Sequence, residues 1–204
     1  MHVTHINQMQ DKGEISSFIQ RFSFGTIVTS TDEKPIATYL LFAPFEKEDK
    51  CFLSYHFNKA HPQRKHNKNN TTLVIFTESH AYISPTNYGK HPSVPTWNYV
   101  SVHAYGKRKE INDKKEVQDS IIKLIKMYEE SYLDDWYGFP DLYRDKMLQG
   151  IVAFEIEVSE IVTSNKLSQN KTPDEQRNII TSLSGSHSLN DKLIAEYMLN
   201  NLKP

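Results

Sequence analysis

The sequence predicts an α+β fold, mainly antiparallel β, in which six or seven strands curl toward a barrel, helices sit at its periphery and a helical pair ends the chain. Strand-like runs bounded by polar turns fill the N-terminal half. Helical periodicity is confined to a short opening segment, to a stretch after Glu110 and to everything beyond Thr172. One segment, His80 to Gly106 (HAYISPTNYGKHPSVPTWNYVSVHAYG), carries aromatics, hydroxyls, amides and prolines at a density that core strands lack, and it marks where chemistry should lie.

Each element has its own warrant. Ile15, Phe18, Ile19 and Phe22 share one helical face, and Asp11 and Glu14 are spaced as a capping-box variant ahead of it, so an opening helix packs on a sheet. Strands follow over Phe24 to Ser30, Pro35 to Phe42, Cys51 to Phe57 and Thr71 to Thr77, the first two joined by the polar turn Thr31-Asp32-Glu33-Lys34. Further strands run over Ala81 to Ser84, Thr96 to Lys107 and Ile151 to Val158, where Val152, Phe154, Ile156 and Val158 alternate with glutamates. Between the last two, Val117, Ile121, Leu124, Ile125 and Tyr128 form the apolar stripe of a helix over Lys114 to Tyr132. Thr172-Pro173-Asp174-Glu175 combines a capping threonine, proline at the first helical position and a glutamate that can reach back, and the helix it opens ends at Ser184-Gly185. Leu189, Leu193, Ile194, Tyr197 and Met198 mark a final helix.

Composition narrows the function. The chain has 204 residues, 38% of them hydrophobic, enough for a real core in one large domain or in one domain plus a helical appendage. Lysine and arginine number 24 against 25 aspartates and glutamates, so no global charge points to nucleic acid or an anionic membrane. The single cysteine, Cys51, cannot form an intrachain disulfide, which fits a reducing cytoplasm. The opening residues lack the layout of a secretory signal, and no apolar run approaches the roughly 20 residues needed to span a bilayer.

Glycine-rich phosphate loops, a G-x-S-x-G elbow, C-x-x-C pairs and H-E-x-x-H are all absent. His56, His61 and His66 recur at a spacing that matches neither a helix face nor a strand face, which favours hydrogen bonding over metal ligation. Ser84 and Ser93 stand beside prolines as turn residues. Two segments invite a ligand. Along Thr96 to Gly106, Val100, Val102 and Ala104 alternate with Ser101, His103 and Tyr105, giving one apolar face and one polar-aromatic face that suits a planar ligand; a half-buried sheet face without a ligand has the same pattern. Ser54 to Thr71 holds Lys59, Arg64, Lys65 and Lys68, and no acid stands between Asp49 and Glu78, so this strand end, cationic turn and short helix can receive a phosphate or simply be a solvated loop.

Pro35-Ile36-Ala37-Thr38, His56-Phe57-Asn58-Lys59-Ala60-His61-Pro62-Gln63, Ala81-Tyr82-Ile83-Ser84-Pro85 and Val94-Pro95-Thr96-Trp97-Asn98-Tyr99 stand in the order found in the PaiB-type family of FMN-binding split-barrel proteins, which the chain resembles over nearly its whole length. Lys166-Leu167-Ser168-Gln169-Asn170 resembles the family's C-terminal motif. The resemblance implies a six-stranded split barrel related to pyridoxamine-phosphate-oxidase-like flavoproteins, spanning residues 1–165 with inserted helices, and a helical appendage over 166–204 packed on it. It further implies a homodimer with flavin at the subunit interface. Carried onto matching positions, it assigns the FMN phosphate to Lys59 with His56 and His61 beside it, the pyrimidine edge of the flavin to the strand of Thr38, and ring and amide contacts to Trp97 and Asn98. The chain departs from the family's pattern at Tyr39, His61, Arg64 and Asn87.

The family is described as one of negative transcriptional regulators, so the resemblance implies regulation through DNA or a protein partner. No segment reads as a helix-turn-helix, and from Lys171 onward four basic residues balance four acidic ones. Any direct DNA contact falls to Lys59 to Lys68 and Lys107-Arg108-Lys109. Two other classes stay open: an FMN-dependent oxidoreductase using NAD(P)H, with His103 or Tyr105 as proton donor, and a haem-binding or cofactor-free scaffold.

Overall fold

The computed structural model describes residues 3–31, 34–66 and 70–202. Seven strands form one sheet: β1 (Phe24–Ser30), β2 (Pro35–Leu41), β3 (Ala43–Lys47), β4 (Lys50–Asn58), β5 (Thr72–Ile83), β6 (Thr96–Glu110) and β7 (Ile151–Lys166), in the order β2-β1-β5-β6-β7-β4-β3. The β1–β2, β1–β5, β3–β4 and β4–β7 ladders are all antiparallel. Helices α1 (Lys12–Arg21), α2 (Lys114–Tyr128), α3 (Tyr132–Gly138), α4 (Asp141–Gln149), α5 (Pro173–Ser184) and α6 (Leu189–Asn201) complete an α+β, split-barrel-type architecture. No helix among the described residues is long and apolar enough to cross a membrane.

The chain forms two compact units, Met1–Ile15 with Thr77–Val102 and Val162–Pro204, and Ser16–Phe76 with His103–Ile161. In the second, an aromatic core surrounds Tyr55, whose ring stacks on Phe154 at 5.5 Å and meets Phe42 at 5.3 Å and the edge of Phe57 at 5.5 Å. Phe42 in turn meets Phe76 edge-on. In the first, α5 and α6 pack together through Ile179, Leu183, Ile194 and Met198, all buried.

Local signals account for most boundaries. Asp11 Oδ1 accepts from Glu14 N at 2.8 Å at the start of α1, and both halves of the Thr172–Glu175 capping box are made. The turn predicted over Thr31 to Lys34 includes Asp32 and Glu33, which lie outside the described residues, although Thr31 N donates to Lys34 O.

The structure also departs from the sequence reading, for physical reasons. The strand β3 has no counterpart in that reading. It joins β4 through Glu48 and Asp49, both at positive φ (53° and 59°), a two-residue hairpin turn that sequence normally announces with Asn-Gly. The runs Thr71 to Thr77 and Ala81 to Ser84 are one strand: burial alternates over Thr72, Val74 and Phe76, slips by one residue at Thr77-Glu78 and resumes over Ser79, Ala81 and Ile83, and the buried Ser79 hydroxyl finds acceptors in Glu78 Oε1 (2.9 Å) and Asn190 Oδ1 (3.3 Å). Strand β7 continues past Val158 to Lys166. At its buried polar end Thr163 Oγ1 accepts from Met9 N (2.8 Å) and donates to Met9 O (3.3 Å). The helix predicted to Tyr132 stops at Tyr128, where Glu129 leaves helical geometry, and α3 and α4 follow on either side of Pro140.

Gly106 marks a close crossing of β6 on β7. A Cβ there would sit 2.6 Å from Ile156 Cγ2 and closer still to the Glu157 carbonyl oxygen, backbone that cannot rotate away. Gly106→Ala is therefore expected to lower stability by about 1–3 kcal/mol, read as a reduced urea midpoint at unchanged slope. An unchanged midpoint would show that this crossing is loose.

Candidate functional site

The cationic segment is a built structure. β4 ends at Asn58, whose side-chain oxygen accepts from Ala60 N (2.8 Å) and whose carbonyl accepts from His61 N (2.9 Å), turning the chain sharply. Lys59 N donates to Gly150 O at 2.8 Å. His61 stacks on Phe57 at 4.9 Å and caps the 3-10 turn Pro62–Lys65 by accepting from Gln63 N at its Nδ1 (3.3 Å). Arg64 folds back, its Nε donating to Lys59 O at 2.5 Å.

Gln63 holds this turn against the sheet. Its side chain is fully buried. The amide nitrogen donates to Thr29 Oγ1 (3.0 Å) and Ile36 O (3.1 Å), with Ile27 O at 3.4 Å, and its Oε1 accepts from Thr38 Oγ1 at 2.5 Å. Arg108, itself 3% exposed, closes the network from β6, donating from Nη1 to Gln63 O (3.1 Å) and from Nη2 to His66 O (2.5 Å) while its guanidinium lies 5.1 Å over the Phe154 ring. His66 Nδ1 hydrogen-bonds Thr29 Oγ1 at 2.7 Å.

Against that frame Lys59 and Lys65 stand exposed, and neither makes an ion pair among the described residues. Lys68, the remaining cation of the predicted segment, lies outside the described residues. His56, half-buried on β4, has its imidazole pKa lowered by burial; that of His66 is lowered by burial and by the Arg108 charge. Both are biased toward the neutral form, so the turn's uncancelled charge resides on Lys59, Lys65 and the half-buried Arg64. A phosphate dianion fits this donor set.

In the other unit, Thr77, Glu78, His80, Trp97, Tyr99 and Val100 line a cleft of about 510 Å³. Trp97 is half-exposed and braced by His80 (5.5 Å) and by the edge of Tyr82 (6.0 Å), leaving indole surface for a flat ring. Glu78 Oε2 is buried there without a partner among the described residues.

The predicted site residues thus fall into distinct groups. Thr38 and His61 meet through Gln63, with Lys59 in the same turn. Thr38 belongs to β2, the terminal strand of the sheet, where one row of backbone groups has no strand partner. Trp97 and Asn98, assigned together to the flavin, project to opposite faces of β6. Asn98 is fully buried; its Oδ1 accepts from Ser168 Oγ (3.1 Å) and its amide donates to Met198 Sδ (3.3 Å), which ties β6 to the C-terminal segment. Arg108, read as a surface cation available to DNA, is corrected to a buried clamp: β6 alternation exposes Lys107 and Lys109 and turns Arg108 inward. His103 is half-buried, its Nδ1 has no hydrogen-bond partner among the described residues, and burial lowers its pKa. Sequence reasoning quoted Gln63 within a motif without giving it a role; a lone glutamine carries no periodicity or charge signal that could mark it as a hub.

Because every side-chain donor and acceptor of Gln63 is used, replacing it by leucine leaves the Thr38 hydroxyl without its partner and removes the donor to Thr29 and Ile36, while the backbone carbonyl that Arg108 uses is retained. Gln63→Leu should destabilise the protein by about 2–4 kcal/mol in chemical denaturation. A loss under about 1 kcal/mol would show the network to be dispensable.

Residues 1–160 match the family described as "Putative FMN-binding domain", and the chain belongs to it. Over 207 aligned residues the chain is 35% identical to Protease synthase and sporulation protein PAI 2 of Bacillus subtilis (strain 168), covering 100% of this chain and 99% of that one. Among solved structures, the flavocytochrome Anf3 from Azotobacter vinelandii superposes with a TM-score of 0.63 at 13% identity, covering 81% of this chain and 72% of that one. A structure described as a putative 5-nitroimidazole antibiotic resistance protein from Bacteroides thetaiotaomicron gives 0.58 at 17% identity, covering 80% and 94%. At these identities the two structures establish the fold alone.

Proposed function

We propose that this member of the FMN-binding domain family binds FMN, takes the cofactor's phosphate on the Lys59 turn, and acts as a homodimeric, cytoplasmic negative regulator of gene expression. The observation that carries the cofactor assignment is the turn itself: exposed, unpaired lysines on a backbone locked from beneath by Gln63 and Arg108. Preorganisation of this kind lets an anion bind without paying to order the loop. Lys59 supplies the cation, Lys65 adds charge, and His56 and His61 flank them. Trp97 offers flavin-stacking surface in its own unit. Bound FMN would supply electron transfer at its ring; the protein's part is to hold the phosphate and shield the ring from water.

Support for regulation comes from the 35% identical relative, whose name ties it to protease synthesis and sporulation. Direct DNA contact would fall to the exposed Lys59, Lys65, Lys107 and Lys109, since Arg108 is occupied. Dimerisation is supported by the exposed face of β2, where Pro35, Ala37, Tyr39 and Leu41 all face solvent and Tyr39 stacks on exposed Phe24 at 6.1 Å.

Titrating the protein with FMN, followed by flavin fluorescence, tests the cofactor reading. Saturable binding is expected, weakened about 10- to 100-fold in Lys59→Ala through loss of one charge-assisted hydrogen bond. Absence of binding at about 50 μM FMN would remove the reading, and FMN-dependent consumption of NAD(P)H would replace regulation with oxidoreductase activity. Sedimentation tests the dimer: wild type should run as a pair and Tyr39→Lys as a single chain. A single-chain mass for wild type at micromolar concentration would contradict it.

A further inference from the structure

The first unit contains a second pocket, of about 410 Å³, which shares no lining residue with the Trp97 cleft and of which the flavin assignment reaches Asn98 alone. No aspartate or glutamate lines it, whereas Lys166 and Lys171 both do. Lys166 Nζ donates to Thr96 Oγ1 at 2.6 Å, and Lys171 Nζ lies 3.6 Å over the Tyr88 ring; among the described residues neither forms an ion pair. Glu175 feels the Lys171 charge, but its two oxygens are already taken by Thr172 N and Gly89 N, each at 3.1 Å. Lys166 thus faces the pocket with its charge uncancelled, and Lys171 with its charge only partly offset by Glu175, which is not in the lining.

Two further features mark the pocket as built to receive something. Tyr88, 6% exposed, is one of the lining residues, and its buried hydroxyl has no hydrogen-bond partner among the described residues, a deficit that folding alone leaves uncompensated. Ser168, also in the lining, holds φ at 62°, a left-handed conformation that a serine adopts at a cost and that its hydrogen bond to Asn98 maintains. Exposed Val94 and Ile6 supply apolar wall beside the cationic end.

We propose that this pocket, formed where the Val94–Asn98 segment meets the Lys166–Lys171 segment, binds a small organic anion. Lys166 and Lys171 neutralise the anionic oxygens, the Tyr88 hydroxyl and the Asn170 amide donate to them, and Val94 and Ile6 cover an apolar substituent. The anion is a carboxylate or a phosphate monoester, since both present the same oxygen acceptors. Such a site gives a regulator an input separate from its cofactor.

Calorimetric titration of the full chain with phenyl phosphate, benzoate and inorganic phosphate tests this. One of the two aromatic probes should bind with single-site stoichiometry and more tightly than inorganic phosphate, and whichever binds better identifies the headgroup. Tyr88→Phe removes only an unpartnered hydroxyl, so its fold should survive while affinity falls about fivefold, the worth of one hydrogen bond. Lys166→Met should reduce binding further, and neither variant should change FMN affinity. No saturable binding at about 10 mM of any probe, or binding indifferent to both variants, would overturn the proposal. Displacement of the probe by FMN would also overturn it, by making the pocket part of the flavin site.

Discussion

A buried guanidinium governs the arrangement. Arg108 has left water on a strand packed against an aromatic core, and its charge is answered by the carbonyls of Gln63 and His66 and by the face of Phe154. Desolvating a cation is costly unless those partners are fixed. The His61–His66 segment is therefore held wherever Arg108 is held, and Gln63 extends the hold to β1 and β2 through Thr29, Ile36 and Thr38. The residues that would greet a phosphate do not position themselves. Their backbone is placed by groups that no ligand touches.

This division explains why the turn can be strongly cationic and still well ordered. The exposed lysines would repel one another in a free loop, and the uncharged interactions beneath them supply the opposing constraint: an Asx turn at Asn58, a histidine stacked on Phe57, and the glutamine hub. In the other unit the same logic appears with different chemistry. Asn98, fully buried, links β6 to Ser168 and Met198, and the motif segments on either side of that link line the lysine-bearing pocket.

Much of this was legible in the sequence, and the limits are instructive. The strand runs, the capping boxes at Asp11 and Thr172 and the amphipathic helices follow from periodicity and local chemistry, and β1 was placed to the residue. Strand β3 escaped because its hairpin uses Glu48 and Asp49 where Asn-Gly would have been recognised. The continuity of β5 and the length of β7 escaped because Ser79 and Thr163 are polar residues buried by distant partners, Asn190 and Met9, that local pattern cannot supply. At the candidate site the cationic segment and Trp97 were visible as composition. That Arg108 faces inward follows from strand alternation, but the neighbouring Lys107 and Lys109 made the run look like a surface patch. The part played by Gln63 arises only when three segments of chain converge on one side chain.

The central claim is that the Lys59–His66 turn is an ordered anion receptor before any ligand arrives. Amide hydrogen exchange over Asn58 to His66, with and without FMN, tests it most directly. The amides of His61 and His66, bonded to the Asn58 and Gln63 carbonyls, should already exchange slowly in the free protein and slow further with FMN. Rapid exchange across the turn in the free protein, or protection that FMN leaves unchanged, would contradict it.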